Sequence, residues 1–238
     1  MRLDKLIESK LHTTRKEMKR LFLMNKVRID GEIERNPSRN IDSSLHKIMV
    51  NDTYLTTNEV YYLMNKPNGV VTAVTDAKCQ TVVELLSDVE NQQHVYPVGR
   101  LDRDTTGLLL LTSNGQLGYE LLLPNRKVTK TYEAKINARV TEKDVESFEK
   151  GITFADGTKC KPAKLVILSS GEDESFIRLT IQEGKFHQVK KMFLACGKKV
   201  IALKRVAMGP LHLDGKLLPG QYRTLYLEEL ELLRPYFK

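Results

Sequence analysis

One stretch of the chain places a charged loop directly before a run of leucines. Residues 99–107 are rich in charged and hydroxyl side chains, and Leu108–Leu111 follow at once. The charged residues of this loop are Arg100, Asp102, Arg103 and Asp104. An apolar run of this length between glycines is typical of a strand buried on both faces. A carboxylate on a loop fixed to such a strand could act as a nucleophile or stabilise positive charge, and a salt-bridged loop without chemistry is the alternative.

The two acids of this loop are two positions apart in the sequence. If the loop is extended, the side chain of Asp104 points to the opposite side from that of Asp102. We therefore expect no paired-carboxylate site. A retaining glycosidase needs a second acid with a raised pKa close to the first, so that hypothesis has little support here.

Composition limits the class of protein. The 238 residues allow one or two domains with a sizeable core, and 41% hydrophobic with 29% charged residues is ordinary for a globular chain. Cys79, Cys160 and Cys196 form no Cys-x-x-Cys pair, so we expect neither a zinc site nor disulfides. The chain has no leader-like apolar segment and no window of membrane-spanning character. We therefore expect a cytoplasmic monomer that has no membrane partner.

Positive charge is concentrated in two parts of the chain, whose net charge is +8. Residues 1–40 carry 11 Lys and Arg against 6 Asp and Glu, which gives +5. Residues 184–205 carry 7 Lys and Arg and no acid. One such cluster is often only a solvated surface, but two in a basic chain favour a polyanionic partner such as nucleic acid.

Apolar spacing predicts two short helices and a small sheet in the first 50 residues. Thr14–Glu17 is a capping-box pattern that starts the second helix. The residues expected to face inward from the two helices are Leu3, Leu6, Ile7, Leu11, Met18, Leu21 and Phe22. Asp30-Gly31 is typical of a hairpin turn, and the three apolar residues at 48–50 indicate a further strand. The polar residues 51–59 form the best linker candidate, so we expect domains at 1–55 and 60–238.

The rest of the chain mixes strands with helices. The predicted strands are 61–64, 108–111, 130–136, 165–168, 176–181 and 200–203. The predicted helices are 81–86, 116–123, one that starts at Thr141, 187–195 and 227–233, with an acidic loop at 169–175. Hairpin signals join several of the strands. We therefore predict an α+β fold with a largely antiparallel mixed sheet and flanking helices.

The charged loop and its strand resemble a family motif. Gly-Arg-Leu-Asp at 99–102, followed by Thr-Thr-Gly-Leu at 105–108, is similar to the catalytic motif of the pseudouridine synthases, in particular the group that modifies 16S rRNA of the small subunit. The resemblance implies that Asp102 is the catalytic aspartate and that the partner is ribosomal RNA, either naked or within an assembling subunit. Isomerisation of uridine needs no cofactor and no metal, and the chain carries neither a P-loop nor a dinucleotide fingerprint.

Two further motifs of the family supply partners for Asp102. Gly184–Lys190 resembles Gly-Lys/Arg-x-His-Gln-Val-Lys/Arg, in which x is Phe186. Burial alone would neutralise a carboxylate, so the resemblance implies that Lys190 is the cation that keeps Asp102 ionised. Many relatives carry arginine there, whereas a lysine offers a point charge. Tyr132, in Lys-Thr-Tyr, matches the tyrosine that packs on an extruded uracil.

Other site residues follow from the same resemblance. Leu203 is similar to the apolar residue on the other side of the base, and Gln188 is expected to bind substrate. We expect Arg100 and Arg103 to contact phosphates or brace the loop. We count His187 among the substrate-binding residues and expect it to brace a helix start by a hydrogen bond rather than act as a general base. Lys-Pro-x-Gly at 66–69 recurs in the family, but its chemistry indicates a turn, and we assign it no catalytic role.

The N-terminal segment resembles the S4 RNA-binding domain. The matching features are Arg-Leu-Asp-Lys at 2–5, Thr-Arg at 14–15 and Lys-Val-Arg-Ile-Asp-Gly at 26–31. The RNA-binding residues implied are Arg2, Lys5, Arg15, Lys16, Lys19, Arg20 and Arg28. Such basic side chains suit phosphate oxygens and position RNA more than they read its sequence. Two alternatives to a 16S enzyme stay open at this point, a 23S rRNA pseudouridine synthase and a non-catalytic RNA-binding assembly factor.

Overall fold

The computed structural model describes residues 1–86 and 94–237, and its contacts divide the chain into two compact units. Unit 1 consists of Met1–Tyr61, Thr112–Leu121 and Thr224–Lys238. Unit 2 consists of Tyr62–Leu111 and Leu122–Arg223. The domain limits expected from the sequence, 1–55 and 60–238, stay a prediction.

Unit 1 begins with two short helices, α1 (Leu3–Leu11) and α2 (Arg15–Leu23). The predicted capping box starts α2, since the Thr14 N–H donates to Glu17 Oε2 at 2.8 Å and the Glu17 N–H donates to Thr14 Oγ1 at 3.3 Å. Of the residues expected to face inward, Leu3, Leu6 and Ile7 are buried, and the remainder are partly buried against the same core. The predicted helices and their inner faces are confirmed.

A four-stranded sheet in the order β2-β1-β3-β4 packs in the same unit. Its strands are β1 (Val27–Ile29), β2 (Glu32–Ile33), β3 (Ile48–Val50) and β4 (Thr53–Leu55). Asp30 and Gly31 have φ values of 53° and 89°, which is the geometry of the predicted hairpin turn. The linker prediction for 51–59 is wrong in part, because β4 lies inside it and pairs with β3. Unit 1 also contains most of α3 (Gly115–Leu122) and all of α6 (Leu227–Leu232).

Unit 2 is built on a mixed sheet in the order β13-β5-β7-β11-β8-β10-β9. The strands are β5 (Tyr61–Lys66), β7 (Thr106–Thr112), β8 (Lys130–Ile136), β9 (Lys164–Ser170), β10 (Ser175–Ile181), β11 (Val200–Met208) and β13 (Tyr222–Thr224), with β6 (Tyr96–Pro97) beside β7 and β12 (Leu211–His212) beside β11. β8 pairs antiparallel with β10 and β11, whereas β11 pairs parallel with β7. The helices of this unit are α4 (Glu142–Lys150) and α5 (Gln188–Ala195). The predicted α+β class with a mixed sheet is confirmed.

Two local predictions in unit 2 are wrong. Residues 81–86 form turns rather than a helix, although Thr81 and Glu84 exchange capping-box hydrogen bonds of 3.1 and 3.2 Å. The β-branched Val82 and Val83 follow that cap and disfavour its extension. The acidic loop is shorter than 169–175, because β9 and β10 take its two ends. Among the described residues, no helix is long and apolar enough to cross a membrane.

Candidate active site

The charged loop is held by the strand that follows it. Leu108 to Leu111 are all completely buried in β7, as the apolar run predicted. At the start of that strand Gly107 has a φ of 100°, and a Cβ there would lie 2.2 Å from the Arg205 carbonyl oxygen. Only glycine fits both the backbone conformation and this close approach to β11. The buried Arg205 side chain also donates to the Leu108 carbonyl at 2.8 Å, so β11 fixes the strand from which the loop begins.

A buried lysine fixes the loop from the other side. Lys66, at the end of β5, is completely buried, and its ammonium donates to the carbonyl oxygens of Pro67 (3.0 Å), Arg103 (3.2 Å) and Thr105 (2.9 Å). Burial lowers the pKa of Lys66 from 10.5 to about 8, against the opposing effect of the two loop aspartates. The sequence predicted only a turn at 66–69, and the signal for Lys66 was a lysine at the end of a largely apolar strand.

The turn after Lys66 is joined to the loop by a reciprocal pair of hydrogen bonds. The Gly69 N–H donates to the Arg103 carbonyl at 2.9 Å, and Arg103 Nε donates to the Gly69 carbonyl at 2.9 Å. Arg103 is exposed and is not among the residues that line the pocket around Asp102. Its contacts correspond to the loop-bracing role that was one of the two expected for it.

Asp102 and Asp104 contact the same lysine. Lys190 Nζ lies 2.9 Å from Asp102 Oδ2 and 2.6 Å from Asp104 Oδ1. The expectation that Asp104 points away is therefore wrong. The loop turns at 103–104, where the Thr105 N–H donates to the Asp102 carbonyl at 3.1 Å, so the alternation of an extended chain does not apply.

The charges of this cluster support one another. Although burial opposes it, hydrogen bonds to both aspartates raise the pKa of Lys190 above its ordinary value. The hydrogen bond from Lys190 lowers the pKa of Asp104. Asp102 is the more protected of the two acids, with 27% of its side chain exposed against 66% for Asp104. Lys190 thus stays a cation beside a carboxylate that is largely enclosed.

The start of α5 is braced by Gln188 and not by His187. The buried Gln188 accepts a hydrogen bond from the Lys185 N–H and donates to Glu183 Oε1, both at 2.9 Å. The His187 side chain makes no capping hydrogen bond, so the expected bracing role is wrong. Instead, His187 Nε2 lies 3.5 Å from Asp102 Oδ1, and its backbone adopts a φ of 53°.

One pocket of about 80 Å³ brings most of the predicted residues together. Those that line it are Arg100, Asp102, Tyr132, His187, Gln188, Lys190 and Leu203. Tyr132 comes from β8 and Leu203 from β11, and both are more than nine-tenths buried. An anion, a cation and an aromatic ring therefore converge on one small cavity. In residues 1–86 and 94–237, no group of three or more His, Cys, Asp and Glu has a geometry that could hold a metal ion.

The basic residues predicted in the N-terminal segment lie in unit 1. The four on α2, Arg15, Lys16, Lys19 and Arg20, are exposed. Three others have neighbours that neutralise or hold them: Arg2 pairs with Asp4 at 2.7 Å, Lys5 pairs with Glu8 at 2.7 Å, and Arg28 donates to the Gly31 carbonyl at 3.0 Å. A groove of about 490 Å³ in this unit is lined by Lys5, Arg15 and Lys19 among other residues. The α2 cations are therefore the most available to a polyanion.

Comparison with known proteins gives one family model that matches part of the chain and several relatives that match nearly all of it. The family model described as RNA pseudouridylate synthase matches residues 60–195. An uncharacterized RNA pseudouridine synthase of Bacillus subtilis is 42% identical, over 98% of this chain and 98% of the relative. Ribosomal small subunit pseudouridine synthase A is 38% identical in Vibrio cholerae and 36% in Escherichia coli, each over 97% of this chain and 98% of the relative. A crystal structure of a pseudouridylate synthase has 36% identity and a TM-score of 0.69, over 98% of this chain and 99% of its own.

Proposed function

The chain belongs to the RNA pseudouridylate synthase family, and from that premise we propose that it converts a uridine of 16S rRNA in the small ribosomal subunit into pseudouridine. The enzyme class follows from the family. The choice of 16S rRNA is supported by the full-length similarity to enzymes named for the small subunit. The observation that carries the catalytic assignment is the contact of 2.9 Å between Asp102 and Lys190 in a pocket shared with Tyr132.

The reaction rearranges bonds within one nucleotide. The N1–C1′ bond breaks, the uracil turns, a C5–C1′ bond forms, and the proton on C5 is lost while N1 gains one. We assign Asp102 to this step, because attack on C1′ and stabilisation of positive charge on the sugar both require a carboxylate anion next to the ribose. Lys190 holds that anion in place and offsets the penalty for enclosing it.

The protein must hold the base during the turn. A base inside folded RNA has to be extruded before an enzyme can reach its C1′ and C5 atoms. We assign Tyr132 and Leu203 to the two faces of the extruded uracil, because each presents a buried apolar surface to the pocket from its own strand. Arg100 is exposed at the pocket and is suited to a phosphate of the target nucleotide. Gln188 is assigned to the site as the residue that keeps α5, and with it Lys190, in position.

We assign RNA capture to the N-terminal part of unit 1, as an S4-like domain. The exposed cations of α2 are spaced along one short helix and are suited to phosphate oxygens, which position RNA without reading its bases. Arg2, Lys5 and Arg28 have intramolecular partners and are assigned a smaller share of binding. The protein acts as a monomer on cytoplasmic RNA, either free or in an assembling small subunit.

Mapping of pseudouridines tests this assignment. Ribosomal RNA from cells with and without the protein is compared at each position of 16S and 23S rRNA. We expect one 16S pseudouridine to disappear with the protein and to return when the wild-type chain is supplied. Loss of a 23S pseudouridine alone would overturn the 16S assignment, and an unchanged pattern in both RNAs would overturn rRNA as the substrate.

A further inference from the structure

Phe186 is an exposed aromatic residue at the pocket. Its side chain is 68% exposed, and its chain neighbours Lys185 and His187 both line the pocket. The family motif that spans 184–190 specifies the residues around Phe186 and leaves this position open. The folded protein leaves most of this ring uncovered beside the pocket, so the ring is available for contact with a ligand.

The ring of Phe186 is stacked on the ring of His187. Their centroids are 3.8 Å apart and their planes differ by 22°. His187 in turn lies 3.5 Å from Asp102 through Nε2, and its backbone is in the left-handed region with a φ of 53°. That conformation is uncommon for most residues, and histidine is among the few types enriched in it. The turn at His187 thus holds a two-ring stack that begins beside Asp102 and ends in solvent.

We propose, on the basis of the function proposed above, that Phe186 and His187 form a stacking subsite for the base next to the extruded uridine. Extrusion removes stacking from the two neighbouring bases, and an aromatic side chain can replace part of what is lost. One face of the Phe186 ring lies on His187. Because the residue is still 68% exposed, much of the ring remains accessible to a base, with the Lys191 ammonium over it at 5.4 Å from the centroid.

The charge around the stack suits a nucleotide. Lys191 Nζ lies 5.4 Å from the centroid of the Phe186 ring, and Lys185 is also next to it in the chain. Lys185 is already paired with Glu183, so Lys191 is the cation that remains close to the ring. A base on the ring would therefore have the Lys191 ammonium close to its own phosphate.

Phe176 supplies a matched control on the same unit. It is also an exposed phenylalanine, at 43%, and it also has a lysine near its ring, since Lys135 Nζ is 5.6 Å from the centroid. It lies on β10 and is not among the residues that line the pocket. Replacing Phe176 measures the effect of losing an exposed ring away from the pocket. Replacing Phe186 measures the effect of losing the ring beside the pocket.

The experiment uses a 16S rRNA fragment that contains the mapped uridine, with 2-aminopurine at either neighbouring position. For Phe186→Ala we expect the dissociation constant to rise by about 5- to 150-fold, which is the range for one lost base stack. The fluorescence change at one of the two neighbours should be lost, while the salt dependence of binding stays the same because no charge is removed. Phe186→Trp should keep wild-type values, and so should Phe176→Ala.

Affinity and fluorescence of Phe186→Ala equal to those of the wild type would overturn the subsite. A loss of affinity that Phe176→Ala shares would overturn it as well. Product formation by the wild-type chain is measured on the same RNA. If the wild type makes no pseudouridine, the proposed function fails, whereas the stacking readouts still decide whether the ring binds a base.

Discussion

Lys66→Met tests how far the position of the catalytic loop depends on one buried ammonium. The substitution removes the donor for three carbonyl oxygens. The Arg103 carbonyl keeps its hydrogen bond from the Gly69 N–H, whereas the carbonyls of Pro67 and Thr105 lose Lys66 as a donor. Each buried acceptor without a donor costs about 1–3 kcal/mol. Burial of the charged lysine also lowers the stability of the wild type. The fall in the Lys66 pKa from 10.5 to about 8 corresponds to about 3 kcal/mol of stability, and the methionine variant does not have this cost.

The lost hydrogen bonds lower the free energy of unfolding and removal of the buried charge raises it, so the two effects nearly cancel. Only the lost hydrogen bonds affect the position of the loop. We expect the free energy of unfolding of Lys66→Met to change by less than about 3 kcal/mol. Asp102 directly precedes Arg103, so loss of these anchors shifts the carboxylate, and a displacement of about 1 Å can lower a rate by about 100-fold. We therefore expect kcat to fall by about 10- to 100-fold with KM little changed. Both constants are measured by the release of tritium from [5-³H]uridine in RNA.

The same lysine predicts opposite effects of pH on activity and stability. Below about pH 8 the side chain is charged in the folded and the unfolded protein. Between about pH 8 and 10.5 the folded protein has lost a proton that the unfolded chain keeps, so the contribution of Lys66 to the free energy of unfolding rises with pH in that window. The neutral amine has one N–H donor fewer for its carbonyls, so activity should fall above about pH 8.

Lys130→Met is the matched control, because Lys130 is partly buried and, like Lys66, donates to a backbone carbonyl, in its case that of Val128 at 3.1 Å, outside the loop. Lys130→Met should keep the wild-type kcat, and its activity should still fall above about pH 8. The activity of Lys66→Met should no longer fall above that pH. A Lys66→Met enzyme with kcat within twofold of the wild type, or with an unchanged pH profile, would contradict the role of Lys66 in positioning the loop.

Three other perturbations follow from the structure. Asp104→Asn removes an exposed carboxylate from the shared lysine, so single-turnover rates should fall no more than about fivefold; a loss as large as that from removing the catalytic carboxylate would contradict this. Gly107→Ala places a Cβ 2.2 Å from a carbonyl oxygen and should lower the free energy of unfolding by more than about 3 kcal/mol, whereas Gly157→Ala, with open space around it, should lower it by about 1 kcal/mol; equal thermal shifts would contradict this. Replacing Arg15 and Lys19 by glutamine should make the salt dependence of RNA affinity shallower by about 1 to 2 in log–log slope, and an unchanged slope would remove α2 from the interface.

Local signals in the sequence were enough for the elements that carry the site. The leucine run of β7, the alternation of β8 and the capping box of α2 all depend on neighbours within a few residues, and each element lies where its pattern predicted. The motif glycine is explained only by the fold, because Gly107 is required by the approach of Arg205 from a strand almost 100 residues later.

The features that sequence reasoning missed depend on contacts between distant segments or on one turn. Lys66 becomes a loop anchor only when β5 lies beside the loop. Asp104 reaches Lys190 only because the chain turns at 103–104. Strand β4 was not predicted because Thr53 and Tyr54 are exposed and end in hydroxyl groups, which gives no apolar pattern. Its conformation is decided by its pairing with β3.

The catalytic role of Asp102 is tested by the single-turnover rate of Asp102→Asn together with its RNA affinity. Asparagine keeps the size of the side chain and removes the negative charge that faces Lys190. We predict that pseudouridine formation falls below about one-thousandth of the wild-type rate, while the dissociation constant for RNA changes by less than about threefold. A rate within tenfold of the wild type would contradict the assignment of Asp102 as the catalytic group.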